Sequence, residues 1–453
     1  MRRLVLSAVA LLTVVGLVLS GCAPTPVPAP TKQAVGSTPV PAATKPAPTA
    51  APTGPVEITF WNALSGNNGK VMEALVTRYN ASQQDVKVNL QFQGNYNETE
   101  QKFLAAVAAS AVPDLVMVER SRIPGLAAAG ALRPLDDFIN GPDGLDIKDF
   151  IAALVERHTD GKLYSLPQSR SMPVFFYNKD LFKAAGLDDS QAPATWDELK
   201  AAAQKLTTPD GSVVGFGLQS GGSWWYFQAA VEQNGGEVSD PKTREVKFNE
   251  PAAVEALTWW YNLVYTDKVA KVVGGAGYDS WGNLEAEFIS GKVAMMFIST
   301  GNMANIQKNA KFRVGVGPLP GGKAGRAAPT GGNAVLIPAG SPPAKAAAAW
   351  KFYKWLTDTE QVVEWSMGTG YMPTRTSALN HPKFVEFVKQ NPGFGECVKQ
   401  LEFARPVPSI IQHPKTQTVV EAMYEKIFVG RAPIKQSLDE TAAEIAQLMK
   451  ELK

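Results

Sequence analysis

The chain has 453 residues, of which 45% are hydrophobic and 19% charged, and its formal net charge is +2. That balance fits a soluble globular protein, and the length exceeds what one hydrophobic core usually supports, so two lobes are expected. Near-neutrality without a basic stripe excludes nucleic acid as a partner and gives no polybasic patch for a membrane surface.

The N-terminus reads as an export signal. Arg2 and Arg3 precede an apolar run from Leu4 to Val18, closed by Leu19-Ser20-Gly21-Cys22. The run is short of the roughly 20 residues a spanning helix needs. Leu-Ser-Gly-Cys resembles the lipobox of bacterial lipoproteins, which implies removal of residues 1–21 and acylation of Cys22 as a membrane anchor. With Cys22 lipidated, Cys397 has no cysteine left to pair with, so stability must come from packed cores. From residue 22 to residue 55 alanine, proline, threonine and valine dominate, only Lys32 and Lys45 are charged, and aromatics are absent. Such a segment cannot bury enough apolar surface to offset its ordering entropy, and its prolines favour an extended stalk.

The folded body starts at Val56. Strands are predicted at Val56–Trp61, Val86–Phe92 and Asp114–Val118, with helices over Gly69–Asn80 and Glu98–Ser110 between them. That alternation belongs to a parallel sheet covered on both faces, where ligands sit beyond the carboxyl ends of the strands. Trp61-Asn62, Asn95-Tyr96 and Glu119-Arg120 therefore fall on neighbouring rims. A second series follows, with a strand at Val174–Tyr177 and a helix at Lys179–Ala185. Thr195, with Glu198 in a capping box, opens a helix running through Leu206. Helices over Pro251–Tyr265 and Leu284–Ile289 precede a strand at Val293–Ile298. Further helices are predicted over Ala344–Leu356, Thr359–Met367, Thr416–Phe428 and Ile434–Leu452.

The catalytic inventory is thin, and the chain reads as a binding protein rather than an enzyme. His158, His381 and His413 lack metal-ligand spacing, so no metal and no cofactor are expected. Gly217-Leu218-Gln219-Ser220-Gly221 has the wrong register for a nucleophile elbow. Gly317–Lys323 imitates a phosphate-binding loop, but Ala324 stands where a hydroxyl must bind magnesium, so it reads as a surface loop. A cell-surface glycan-active enzyme with paired carboxylates is the remote alternative.

Several motifs recur in order: Phe60-Trp61-Asn62, Gly94-Asn95-Tyr96, Pro113-Asp114-Leu115, Pro173 to Asp180, Thr195 to Leu199, Phe288 to Met295, and Gly370-Tyr371-Met372-Pro373. Together they resemble the family 1 extracellular solute-binding proteins of ABC carbohydrate importers, closest to the glycerol-3-phosphate-binding receptors of Ugp-type importers. The resemblance implies an α/β, two-lobed periplasmic-binding-protein fold (type II, maltose-binding-protein-like) with a hinge and an inter-lobe ligand cleft. Lobe 1 would hold 56–170 plus 301–340, and lobe 2 would hold 171–300 plus 341–453. The crossings near Ser171 and at Ser299-Thr300-Gly301 would form the hinge. It also implies a monomeric, extracytoplasmic receptor with a permease and an ATPase as partners, taking a sugar or polyol-phosphate, or else a neutral saccharide.

By the same resemblance, Tyr96, Glu119, Ser171 and Tyr371 match ligand contacts, and Thr300, Gly301 and Gly332 match backbone and hydroxyl donors of the cleft. Trp224 matches one of two ligand-flanking tryptophans; Gly221 replaces the other, with Trp225 as a candidate substitute. Trp61 joins the set from its rim position. Trp281 precedes the helix Leu284–Ile289 and could reach the cleft, but it is not assigned to the site. One departure concerns charge. The stretch Ser409–Lys415, where those receptors place a phosphate-binding arginine, offers only Gln412, His413 and Lys415. Arg170 beside Ser171, and Arg120 beside Glu119, are the candidates for supplying positive charge from the opposite wall.

Overall fold

The structure is a computed structural model that describes residues 54–451 except 159, 222–223, 241–242, 276–278, 409 and 411–413. The export signal, Cys22 and nearly all of the stalk lie outside the described residues. No described helix is long and apolar enough to cross a membrane.

Two five-stranded sheets organise the body. The first runs, edge to edge, Val86–Phe92, Val56–Asn62, Leu115–Glu119, Gly331–Leu336 and Ser169–Ser171. Its first three strands are parallel, with Val56 opposite Val86 and Phe60 opposite Leu115; Gly331–Leu336 runs antiparallel to Leu115–Glu119, and Ser169–Ser171 runs antiparallel to Gly331–Leu336. Val56–Asn62 alternates as a strand should, burying Ile58, Phe60 and Asn62, whereas Leu115–Glu119 is buried on both faces. The helix Gly66–Ser82 covers this sheet through Met72, Leu75, Val76 and Tyr79, spaced three and four residues apart. The second sheet runs Ala270–Val273, Val214–Gln219, Val293–Ser299, Pro173–Asn178 and Val314–Gly317. Around it Phe175, Phe216, Trp260, Phe288 and Phe297 build a separate core.

Most predicted elements differ from the observed ones by a few residues at their ends, as caps and frayed turns dictate. Asp279–Ile289 is a longer helix than the Leu284–Ile289 expected, because its first turn is polar and carries no apolar periodicity. Thr195 does cap the helix Trp196–Leu206, accepting a hydrogen bond from the Glu198 amide at 3.2 Å. The return arm of the expected box goes elsewhere: the Glu198 carboxylate accepts from Ala194 N at 2.7 Å.

The chain divides between the sheets differently from the expected partition. Val314–Gly317, expected in lobe 1, hydrogen-bonds to Pro173–Asn178 in the second sheet. Pro343–Leu356, expected in lobe 2, packs Ala346, Ala349, Trp350, Phe352 and Tyr353 onto the first. The hydroxyl of Tyr353 fixes that helix by donating to Leu166 O at 2.9 Å and accepting from Leu166 N at 2.8 Å. An apolar helical stripe specifies that a face is buried, not which sheet buries it.

Crossings link the sheets. Ser169–Ser171 of the first continues through Met172 directly into Pro173–Asn178 of the second. Thr300 N donates to Met172 O at 3.0 Å, which ties the second crossing to the first. Met372 N donates to Arg170 O at 2.7 Å and draws the Gly-Tyr-Met-Pro loop onto the same place.

Candidate functional site

A cavity of about 300 Å³ opens where these crossings meet, at the carboxyl ends of strands from both sheets. On the first-sheet side, Glu119 ends a fully buried strand. Tyr96 opens the helix Tyr96–Ala108, held in place by a complete capping box. The Glu98 amide donates to Asn95 Oδ1 at 3.1 Å, and Asn95 N donates to Glu98 Oε2 at 2.8 Å. Tyr371 stacks on Trp365 with ring centroids 5.6 Å apart, and its hydroxyl lies 3.3 Å from that of Tyr96. Asn333 Nδ2 donates to the Tyr96 hydroxyl at 3.1 Å. These bonds leave a rigid, hydroxyl-rich wall.

The second-sheet side is aromatic. Trp224 and Trp225 begin the helix Trp224–Gln233, and Trp225 stacks on Trp281 with centroids 5.8 Å apart and planes at 21°. Trp281 Nε1 donates to Gly221 O at 3.2 Å, which orients the ring. Below it Glu285 accepts from Asn302 Nδ2 at 2.6 Å and also from Asn305 Nδ2. Burial holds the Glu285 carboxyl above its ordinary range, partly offset by those two amide donors. Asn68 reaches in from the helix Gly66–Ser82, donating to Gly301 O at 2.9 Å.

The cavity thus brings together Tyr96, Glu119, Ser171, Trp224, Trp225, Gly301, Gly332 and Tyr371 from the expected set. Gly332 sits at a φ of +113°, and a Cβ there would lie 2.1 Å from Ser169 O, so only glycine lets this strand pass so close.

Three expected residues do not line it. Thr300 is fully buried in the hinge, where its hydroxyl accepts from Met172 N at 3.4 Å. Trp61 packs instead into the small core containing Phe103, Val116 and Val118. Arg170 is 2% exposed and turns away from the cavity: its guanidinium lies 3.8 Å from Glu156 and donates to Leu154 O at 3.2 Å and Asn333 O at 3.5 Å. Arg120 is also engaged, pairing with Glu156 and donating to Thr330 O at 3.0 Å. A buried arginine without these acceptors would be strongly destabilising, so both guanidinium groups are committed to holding structure.

No Lys, Arg or His is among the described residues lining the cavity, while the carboxylates Glu119 and Glu285 are. Of the stretch Ser409–Lys415, residues 409 and 411–413 lie outside the described residues, Gln412 and His413 among them. The expected set left out Trp281, Asn68, Glu285 and Asn302. The one available signal for Trp281 was a tryptophan in the polar first turn of a helix; Asn68 and Asn302 carry none. Among the described residues no cluster of three or more His, Cys, Asp or Glu is placed to hold a metal ion. Cys397 is a free, fully buried thiol, and burial raises its pKa well above the ordinary value.

Comparison with known proteins fits this geometry. A family model of bacterial extracellular solute-binding proteins matches residues 62–363. The sn-glycerol-3-phosphate-binding periplasmic protein UgpB of Pectobacterium atrosepticum is 28% identical over 412 residues, covering 86% of this chain and 90% of that protein. The structure of UgpB from Mycobacterium tuberculosis, in complex with glycerophosphocholine, matches with a TM-score of 0.80 at 28% identity, over 88% of this chain and 99% of that one. The GacH receptor of Streptomyces glaucescens, solved unliganded and with acarbose, matches with a TM-score of 0.76 at 26% identity, over 87% of this chain and 99% of that one. The fold is the two-lobed periplasmic-binding-protein fold of the maltose-binding-protein type. From its matched sequence and its two sheets meeting over one cleft, the chain belongs to the bacterial extracellular solute-binding proteins.

Proposed function

We propose that this protein is the receptor of an ABC importer, capturing a sugar or polyol-phosphate ligand of the glycerol-3-phosphate or glycerophosphodiester kind in the cavity and handing it to a membrane permease. The observation that carries this is the pairing of an aromatic wall (Trp224, Trp225, Trp281) with a hydroxyl and carboxylate wall (Tyr96, Tyr371, Glu119). Aromatic faces suit the C–H surface of a polyol, and the opposite wall suits its hydroxyls. The ligand is bound and released unchanged. Acylated Cys22 and the Ala/Pro/Thr-rich segment would tether a monomeric body to the outer face of a membrane.

A second reading, a neutral mono- or oligosaccharide, draws support from the absence of Lys, Arg and His among the described lining residues. One titration separates the two. Glycerol-3-phosphate, glycerophosphocholine, maltose and maltotriose are added in turn while tryptophan fluorescence and melting temperature are followed. A ligand at about 100 times its Kd stabilises by roughly 2.7 kcal/mol, a visible shift. A response confined to phosphate compounds supports the first reading, and one confined to neutral sugars the second. The site itself fails if Trp225→Ala binds every probe as the wild type does.

A further inference from the structure

The helix Pro414–Phe428 belongs to the second lobe, with Val420, Met423, Tyr424 and Ile427 in that lobe's core. From it the side chain of Gln417 reaches the first lobe, where its Nε2 donates to Ser121 Oγ at 2.9 Å. Ser121 lies two residues beyond Glu119, in the short turn that follows the strand. Its amide donates to Glu119 Oε2 at 3.1 Å, and its hydroxyl donates to the same oxygen. All three side chains are nearly inaccessible, at 4% exposed for Gln417, 3% for Ser121 and 7% for Glu119.

The direction of this chain is fixed by donor and acceptor chemistry. A serine hydroxyl has a single proton, and that of Ser121 goes to the carboxylate. Its lone pairs must therefore accept, and the only proton-bearing group of the Gln417 side chain is its amide. Both Ser121 donors converge on Oε2, so Glu119 Oε1 carries no hydrogen bond from the described residues. We infer that Gln417 is a positioning residue for the ligand site: by fixing Ser121 across the cleft it aims Glu119 Oε1 into the cavity, and so makes lobe closure and carboxylate alignment one event. The bond exists only while the lobes are together. Opening the cleft removes the Gln417 amide, frees the Ser121 hydroxyl to rotate, and loosens the carboxylate that a ligand hydroxyl would meet.

The positioning role rests on the cavity being the ligand site, so the experiment keeps the two apart. Glycerophosphocholine and maltotriose are titrated into the full chain carrying Gln417→Met, which keeps the side chain's bulk and removes its donor. The expected result is roughly tenfold weaker binding of the responding probe, seen mainly as faster dissociation, with unchanged far-ultraviolet circular dichroism. Ser121→Ala should match it, and Ser121→Thr, which keeps the hydroxyl, should restore binding. In a Glu119→Gln background, the Gln417→Met effect should shrink to near nothing, because Gln417 acts through Glu119. With no probe present, small-angle scattering should give Gln417→Met a larger radius of gyration than the wild type. Unchanged binding and an unchanged radius in Gln417→Met, while Trp225→Ala weakens binding, would overturn the positioning role alone. Full additivity with Glu119→Gln would do the same. Unchanged binding in Trp225→Ala would overturn the site and this role together.

Discussion

Gly331 lies directly beneath the indole of Trp225: a Cβ built on it would sit 2.7 Å from Cζ2 of the ring and 3.3 Å from Ser171 Oγ. One hydrogen atom on the strand Gly331–Leu336 of the first sheet therefore sets where the aromatic wall of the second can rest. Gly331→Ala should push Trp225 aside, weaken binding of the responding probe about tenfold, and leave far-ultraviolet circular dichroism unchanged. Fluorescence titration of the two proteins side by side reads this directly.

The charge of the cavity makes a prediction that depends on the ligand. Glu285 faces the cavity as a buried carboxylate, and Glu285→Gln removes one negative charge while keeping shape. Coulomb repulsion at an effective dielectric of about 20 makes such a charge cost an anion nearby on the order of 1 kcal/mol or more. Glycerol-3-phosphate should bind the variant about fivefold more tightly, whereas maltotriose should bind it equally or more weakly. Calorimetric titration of both probes checks the pair of outcomes.

Arg170 illustrates a different kind of importance. Burial acts to lower its pKa, to about 10, and Glu156 beside it acts against that. Arg170→Met should cost about 2 kcal/mol in a urea melt, since the carbonyls of Leu154 and Asn333 lose their donor and Glu156 keeps only Arg120. Probe affinity should change by less than the Gly331→Ala variant changes it. A large loss of affinity with no loss of stability would instead return Arg170 to the ligand.

Stability should also fall with rising pH because of Glu232. Burial pushes its carboxyl up to about 7, Gln228 and Arg405 offset this only in part, and its Oε2 has no hydrogen-bond partner among the described residues. An acid whose folded pKa lies above its unfolded value of about 4.5 stabilises fully below the lower figure, and that contribution is lost as pH rises through the higher one. Glu232→Gln should therefore melt above the wild type at pH 8. The gap should narrow steadily between pH 7 and pH 4.5. Differential scanning calorimetry across that range tests the sign.

Much of the local structure was legible in the amino-acid order. The strand Val56–Asn62 and the helix Pro251–Tyr265 follow from alternation and from periodicity opened by proline, both of which need only near neighbours. The rim positions Tyr96 and Glu119 were equally legible, because both follow the carboxyl end of a predicted strand, where a parallel sheet holds ligands. Chain length supplied the expectation of two lobes, and ordered motifs supplied the family.

Other features exist only once the sheets close on each other. Whether Pro343–Leu356 covers the first sheet or the second, whether Arg170 faces ligand or Glu156, and whether Trp281 or Trp61 joins the aromatic wall are choices between partners far apart in the chain. The sequence determined the pieces and their buried faces, since these depend on spacing along a helix or strand. Tertiary structure alone decided which side chains meet in the cleft, because a charged or aromatic group takes whichever distant partner satisfies its hydrogen bonds and fills its space.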